Sequence, residues 1–255
     1  MGADLNLKTS ATQSERAAAV GEETLRLMAD LETFNQWMFD SLRPYMGQRV
    51  LEAGAGIGNF TGLLTDRELV VALELEEDRV ADLRKRFDAY PNIRAEVGDL
   101  SDPSLLHLAA YNLDTIVCLN VLEHIERDVD ALRYMNGVLA PGGRLLLLVP
   151  AHPWLYSTLD EDLGHYRRYT RRELQGKLES TGYQIERCFY LNLAGIAGWW
   201  LNGRVLKRRQ LPGNQLKLYE SLAPVFRRVE QGLGMRWGLS VVFVARRPKG
   251  QSAAS

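Results

Sequence analysis

Three glycines stand at every second position in Glu52-Ala53-Gly54-Ala55-Gly56-Ile57-Gly58, and an acid, Glu74, lies twenty residues beyond the first of them. Glycine lets backbone turn sharply and approach a ligand closely. The run Arg49-Val50-Leu51 precedes the loop and reads as a short strand. Asn59-Phe60-Thr61-Gly62-Leu63-Leu64 follows with apolar spacing that predicts a helix. A second buried strand, Leu69-Val70-Val71-Ala72-Leu73, ends at Glu74. Strand, glycine turn, helix, strand and acid make up the first half of a nucleotide-binding βαβ unit. The acid at the end of its second strand is placed to accept both hydroxyls of a ribose.

The loop chemistry bears on which nucleotide. A dinucleotide fold uses G-x-G-x-x-G, so that a pyrophosphate sits on a helix N-terminus. Asn59 stands where its third glycine would fall. Glu52 precedes the first glycine, where it would repel a pyrophosphate and suit a cationic ligand. Glu52-x-Gly54-x-Gly56-x-Gly58 resembles the first motif of the class I S-adenosylmethionine-dependent methyltransferases, of the type 11/12 kind. In that family the acid and the loop, with Ala55, hold the methionine part of S-adenosylmethionine (SAM), and the product is S-adenosylhomocysteine (SAH).

Further motifs follow in the family's order over residues 46–150. Val97-Gly98-Asp99-Leu100 is similar to its third-strand motif, which implies that Asp99 lies near the adenine amino group. Leu75 and Leu100 extend the same implied site. The apolar run 113–119 leads into Asn120-Val121-Leu122-Glu123-His124-Ile125, similar to the motif after strand four. Residues 130–139 have helical spacing, Pro141-Gly142-Gly143 reads as a turn, and 144–149 as a strand buried on both faces. The resemblance implies an α/β fold: a Rossmann-like, seven-stranded, mostly parallel sheet with helices on both faces. A helical insertion at 191–237 would separate the last two strands, 183–190 and 239–245, and the last strand would run antiparallel. Residues 22–255 would form one domain, with helices at 22–46 either folding over the cofactor as a lid or packing Phe34, Trp37 and Met38 on the sheet, or both. Residues 1–21 read as a flexible segment.

The loop after strand five is long and aromatic and leaves the carboxyl end of a parallel strand, where such sheets bind ligands. It contains His152, Tyr156 and Gly164-His165-Tyr166-Arg167-Arg168-Tyr169, which resembles a Gly-His-x-Arg-x-Tyr signature in one branch of the family. Thr170 is placed to cap a helix over 171–180, with Glu173 at the capping-box position. His124 and His165 are the candidate catalytic groups, to orient an acceptor or take its proton. Either could equally be structural. His152, Tyr156, Tyr166, Arg167, Arg168 and Trp199 are the candidate substrate contacts. One of the two arginines is expected to pair with Asp160, Glu161 or Asp162. Glu123 reads as a helix-packing residue more readily than a chemical one.

Composition sets the outer limits. The 255 residues are 46% hydrophobic and 25% charged with net charge −1, as in an ordinary globule. From Trp199 to Gly250 there are eleven basic and two acidic residues, a net +9. Such asymmetry points to an anionic partner: a phosphate-bearing or carrier-linked substrate, or a lipid headgroup. Trp199-Trp200 beside Lys207-Arg208-Arg209 would suit peripheral membrane contact. The alternative is a pair of amphipathic helices with a solvated basic face. Nucleic acid is disfavoured, since no recognition module is visible. No signal peptide or membrane-length apolar run is visible, and Cys118 and Cys188 are not in metal spacing, so a reducing cytoplasm is the expected location. No metal-binding acid cluster is evident, and no metal is expected. The reading is methyl transfer to a small-molecule, lipid-linked or carrier-linked acceptor, at oxygen first and nitrogen second, by a monomer or homodimer. A NAD-dependent oxidoreductase and a non-catalytic nucleotide-binding protein are the alternatives from other classes.

Overall fold

The computed structural model describes residues 31–210 and 212–250. The segment expected to be flexible at 1–21 and the start of the helix expected from residue 22 lie outside the described residues. Seven strands form one sheet in the order β3-β2-β1-β4-β5-β7-β6. They are β1 (Arg49–Ala53), β2 (Leu69–Glu74), β3 (Ile93–Val97), β4 (Leu113–Leu119), β5 (Leu139–Pro150), β6 (Gln184–Leu191) and β7 (Ser240–Arg246). The first five run parallel, and β7 is antiparallel to both β5 and β6. The order reverses between β1 and β4, so the crevice beyond their carboxyl ends is the topological switch point at which open α/β sheets bind ligands.

Alternate residues of the central strands feed two cores, as the period of a pleated strand requires. Leu51, Val71, Leu73, Ile116, Cys118, Leu145 and Leu147 face one side, with Ala131, Leu132 and Met135 of a helix at Asp128–Val138 and Leu174 and Leu178 of one at Arg171–Ser180. Val50, Val70, Val117, Leu146, Leu148, Val242 and Val244 face the other. There they meet Phe34, Trp37 and Met38 of α1 (Glu32–Leu42). Each such aliphatic side chain contributes about 1.5–3 kcal/mol on burial. Cys118 and Cys188 are free thiols, Cys118 buried in the sheet.

Two expectations from spacing are corrected. No α-helix follows the glycine loop; a single 3-10 turn, Thr61–Leu63, stands in its place. Only ten residues separate Gly58 from β2, and Gly62 and the polar turn 65–68 leave no length for a second helical turn. The turn at Pro141-Gly142-Gly143 is absorbed into β5 as an irregularity: Leu139 pairs with Leu113, and pairing resumes at Arg144 with Thr115. Gly142, at φ 87°, provides the left-handed residue this bulge needs. Thr170 caps its helix as its position suggests, accepting the Glu173 amide at 3.1 Å. Between β6 and β7 the insertion forms a helix at Leu193–Trp199, a π-helical turn at Trp200–Val205 and a helix at Gly213–Gly232. No helix of the described residues is long and apolar enough to cross a membrane.

Candidate functional site

All three loop glycines adopt left-handed backbone: Gly54 at φ 77°, Gly56 at 55° and Gly58 at 82°. This is why glycine recurs at every second position. A Cβ on Gly54 would also come within 2.5 Å of Val121, so the loop can lie flat against the end of β4 only without side chains there. Glu74 anchors the loop. One carboxylate oxygen accepts the Gly56 amide at 2.7 Å, and the other accepts the Leu75 amide at 2.9 Å. Glu52 is buried beneath the loop, and its Oε2 accepts a hydrogen bond from Thr61 at 2.5 Å. Burial pushes its carboxyl up to about 8; the Thr61 bond works against this, and the nearby Glu74 charge adds to it.

These residues line one cavity of about 750 Å³. Its side nearest the glycine loop contains Glu52, Gly54, Ala55, Gly56, Glu74, Leu75, Asp99, Leu100 and Asn120. Gly58 is not among the lining residues; it sits behind them, with no room for a Cβ against Leu83 and Phe87. Leu75 is 63% exposed and offers a flat apolar ledge. Asp99 spends one oxygen on the amide and hydroxyl of Ser101, both at 2.7 Å. Asp99 thereby caps the turn before Pro103, while Asp102 caps the 3-10 helix that Pro103 opens. Phe34, Asn35 and Met38 of α1 close the cavity from above.

The cavity continues past Asn120 to Glu123, His124, His165, Arg168 and Trp199. The His124 and His165 rings meet edge to face with centroids 4.7 Å apart. His124 keeps an exposed edge at the cavity, while burial of its remainder, and His165 beside it, bring its pKa down to about 4. His165 is held by Asp160, whose Oδ1 lies 3.0 Å from Nδ1. Asp160 is wholly buried and also accepts from Arg168 Nε at 2.7 Å and Trp199 Nε1 at 3.0 Å. Arg168 is therefore the arginine that pairs with Asp160, and its guanidinium stacks over the Trp199 ring at 4.6 Å.

The other residues singled out from sequence lie outside the cavity wall. His152 stacks on Tyr190 and places Nε2 3.0 Å from the Gly238 carbonyl. Tyr156 donates to the His165 carbonyl. Tyr166 is 54% exposed. Arg167 pairs with Asp128 at 2.9 Å and donates to the Glu126 carbonyl. Spacing gave no hint of Asn192, Asn202, Gln215 and Tyr219, which reach the cavity from the insertion. Nor did it single out Asp160 as the hub of the His165 side, although its place in an acidic run between two aromatic stretches was a signal.

Residues 51–145 match a family described as methyltransferase domain. Over those residues the chain is similar to methyltransferase domains. A Mycolicibacterium smegmatis protein described as a probable S-adenosylmethionine-dependent methyltransferase is 32% identical over 55% of this chain and 53% of its own length. The ubiquinone/menaquinone biosynthesis C-methyltransferase UbiE of Paracoccus denitrificans is 30% identical over 47% of this chain and 51% of its own. The chain thus spans about half the length of the curated relatives it matches. A methyltransferase structure from Mesorhizobium loti covers 83% of this chain and 98% of its own, with TM-score 0.55 and 16% identity, which is a likeness of fold. SAM is the cofactor in the name of the Mycolicibacterium smegmatis relative, and the residues present here fit it. Among the described residues Glu52 is a buried carboxylate with no cation in hydrogen-bond range, which suits an ammonium, and the left-handed Gly54 and Gly56 line the cavity beside Glu74, a carboxylate suited to ribose hydroxyls.

Proposed function

We propose that this chain transfers the methyl group of SAM to a small-molecule, lipid-linked or carrier-linked acceptor, at oxygen. One observation carries the reading: the glycine loop, Glu52 and Glu74 share a single continuous cavity with the His124–His165 pair. When bound, SAM supplies a sulfonium-activated methyl group. Glu52 would take its ammonium, Glu74 its ribose hydroxyls, Asp99 its adenine amino group, and Leu75 and Leu100 the faces of the adenine. Asn120, held at φ 53° by the bond from its amide to the Leu148 carbonyl, marks the boundary between cofactor and acceptor. In-line transfer depends on alignment and exclusion of water, and α1 is placed to act as the lid that supplies both. A hydroxyl acceptor must lose its proton, and the groups nearest to receive it are His124 and His165. Nitrogen as the acceptor atom is the second reading, and the UbiE likeness keeps carbon among the outcomes to be tested.

Calorimetry with SAM and SAH tests this directly. Both should bind, and Glu74→Ala should weaken them by about 1–3 kcal/mol, the range for leaving polar groups unpaired. Binding of NAD with neither SAM nor SAH would instead favour an oxidoreductase, and binding of none of the three a non-catalytic protein.

We further propose that the insertion rests on an anionic lipid surface. The Gly213–Gly232 helix turns Leu216, Tyr219 and Phe226 inward. Leu218, Leu222, Val225 and Val229 form an outward stripe at helical spacing, all exposed, near a segment of net +9. Trp200, 49% exposed, and Trp237, 67% exposed, add interfacial anchors. The stripe is apolar, not the solvated basic face of the alternative reading. Vesicles containing phosphatidylglycerol should therefore sediment the protein several-fold better than pure phosphatidylcholine vesicles. Leu222→Asp with Val229→Asp should abolish the difference; equal retention on both vesicles by the unaltered protein would refute the idea.

A further inference from the structure

Glu123, His124 and His165 offer three ligand atoms that all lie within 4.8 Å of one another. They come from two separate segments, the turn after β4 and the loop after β5, so no spacing in the sequence foretells the cluster. Glu123 is wholly buried, and neither of its side-chain oxygens has a hydrogen-bond partner. A carboxylate is seldom buried without partners, because desolvation then goes uncompensated. Each imidazole already has a second partner. His165 presents Nδ1 to Asp160, which leaves Nε2 for a ligand. His124 uses one ring nitrogen on the Gly164 backbone. Histidines that bind metals are held in this way, one nitrogen fixed by a carboxylate or carbonyl and the other on the ion.

We infer that Glu123, His124 and His165 form a binding site for a divalent ion of the zinc class at the acceptor end of the cavity. Two imidazoles and one carboxylate are the donor set of catalytic zinc sites, which keep a further position open. Donors about 2.0–2.1 Å from a tetrahedral ion stand roughly 3.3 Å apart, so closing the cluster takes side-chain shifts of roughly 1.5 Å or less. Charge also fits. Glu123 and Asp160 are acids and, among the described residues, Arg168 is the one guanidinium bonded to them, so with neutral imidazoles a divalent ion would leave the group at net +1. That balance favours an anionic oxygen on the open position. The inference rests on the proposed methyl transfer and refines it: the two imidazoles become ligands, and an acceptor hydroxyl bound to the ion loses its proton more readily.

The test uses the full chain, stripped with chelator and titrated with CoCl2 by visible absorption and with ZnCl2 by calorimetry. One equivalent should bind, with the visible bands of a four- or five-coordinate cobalt site. Glu123→Gln, His124→Ala and His165→Ala should each weaken binding at least ten-fold, while His107→Ala, at the exposed pair with Glu96, should leave it unchanged. Glu123→Gln keeps shape and removes charge, and circular dichroism checks that it folds. Absence of binding by the folded wild type would overturn the site, as would binding that survives all three substitutions. SAM binding, measured on the same samples, separates the two readings. SAM without metal sinks the metal site alone, and metal without SAM sinks the methyl transfer on which its role depends.

Discussion

Glu52→Gln is expected to stabilise the ligand-free protein at alkaline pH and to remove most of its affinity for SAM. The two effects have one cause. Burial holds the Glu52 carboxyl near 8, far above its ordinary 4.5. A group whose folded pKa is raised binds its proton more tightly in the folded state, so the unfolded state loses it first as pH rises. Glu52 therefore weakens folding progressively from about pH 4.5 to 8, and the full cost is present above 8. Glutamine keeps the bond from Thr61 and never ionises. Melting temperature should rise by a few degrees at pH 8.5 and hardly change at pH 4, on the scale of about 2–4 °C per kcal/mol for a domain this size. Ligand binding should move oppositely. An ammonium beside Glu52 favours the charged form, so SAM binding at pH 7 should release a proton, seen as a dependence of the calorimetric enthalpy on buffer ionisation heat. In Glu52→Gln that release should vanish and affinity should fall by about 2 kcal/mol or more, the scale of a charged hydrogen bond. Equal melting curves at pH 8.5, or proton release that survives in the variant, would count against Glu52 as the ammonium site.

How far such roles can be read from sequence depends on whether neighbours in space are neighbours in the chain. Glu52, the glycines and Glu74 lie on two paired strands and the loop between them, so their spacing carries their geometry. Strand β4 was legible to the residue because its apolar run is bounded by polar turns on both sides. The helix expected after Gly58 failed because apolar spacing says nothing of the length left before the next strand. The acceptor side was legible only in part. His124 and His165 were singled out one by one, but their edge-to-face contact joins segments 41 residues apart. Glu123 read as a packing residue because a buried acid looks like any polar position in a short turn. Tyr156, Tyr166 and Arg167 were drawn in by their place after β5, yet that loop doubles back, and Arg167 reaches Asp128 on the far side instead of the cavity.

The same loop carries the largest stability effect expected in the molecule, at Asp160. This wholly buried carboxylate accepts from the Arg168 guanidinium, the His165 ring, the Trp199 indole and the Ser157 amide at 2.7 to 3.0 Å. Burial alone would raise its pKa, but the His165 bond and the Arg168 charge more than reverse that and hold it below its ordinary 3.8. A depressed folded pKa means that the contribution is present above the unfolded value and lost as pH falls below it. Neutral pH therefore shows the whole effect. Asp160→Ala strands Arg168, itself 3% exposed, with only the Ala151 carbonyl among its strong partners. Breaking a buried pair in this way costs about 3–5 kcal/mol, because an uncompensated charge remains inside. Adding Arg168→Met removes that charge, so the double variant should be more stable than Asp160→Ala alone. Urea unfolding of the four members of this cycle at pH 7 measures the coupling. A double variant as unstable as the sum of the singles would mean that the pair is not coupled, and that Asp160 acts through His165 and Trp199 alone. Either way Asp160→Ala frees His165 to rotate, so the loss of acceptor-side function should exceed any loss of SAM affinity: the glycine-loop half of the cavity is built from the ends of β1 to β4 and the loops that follow them, and touches none of these bonds.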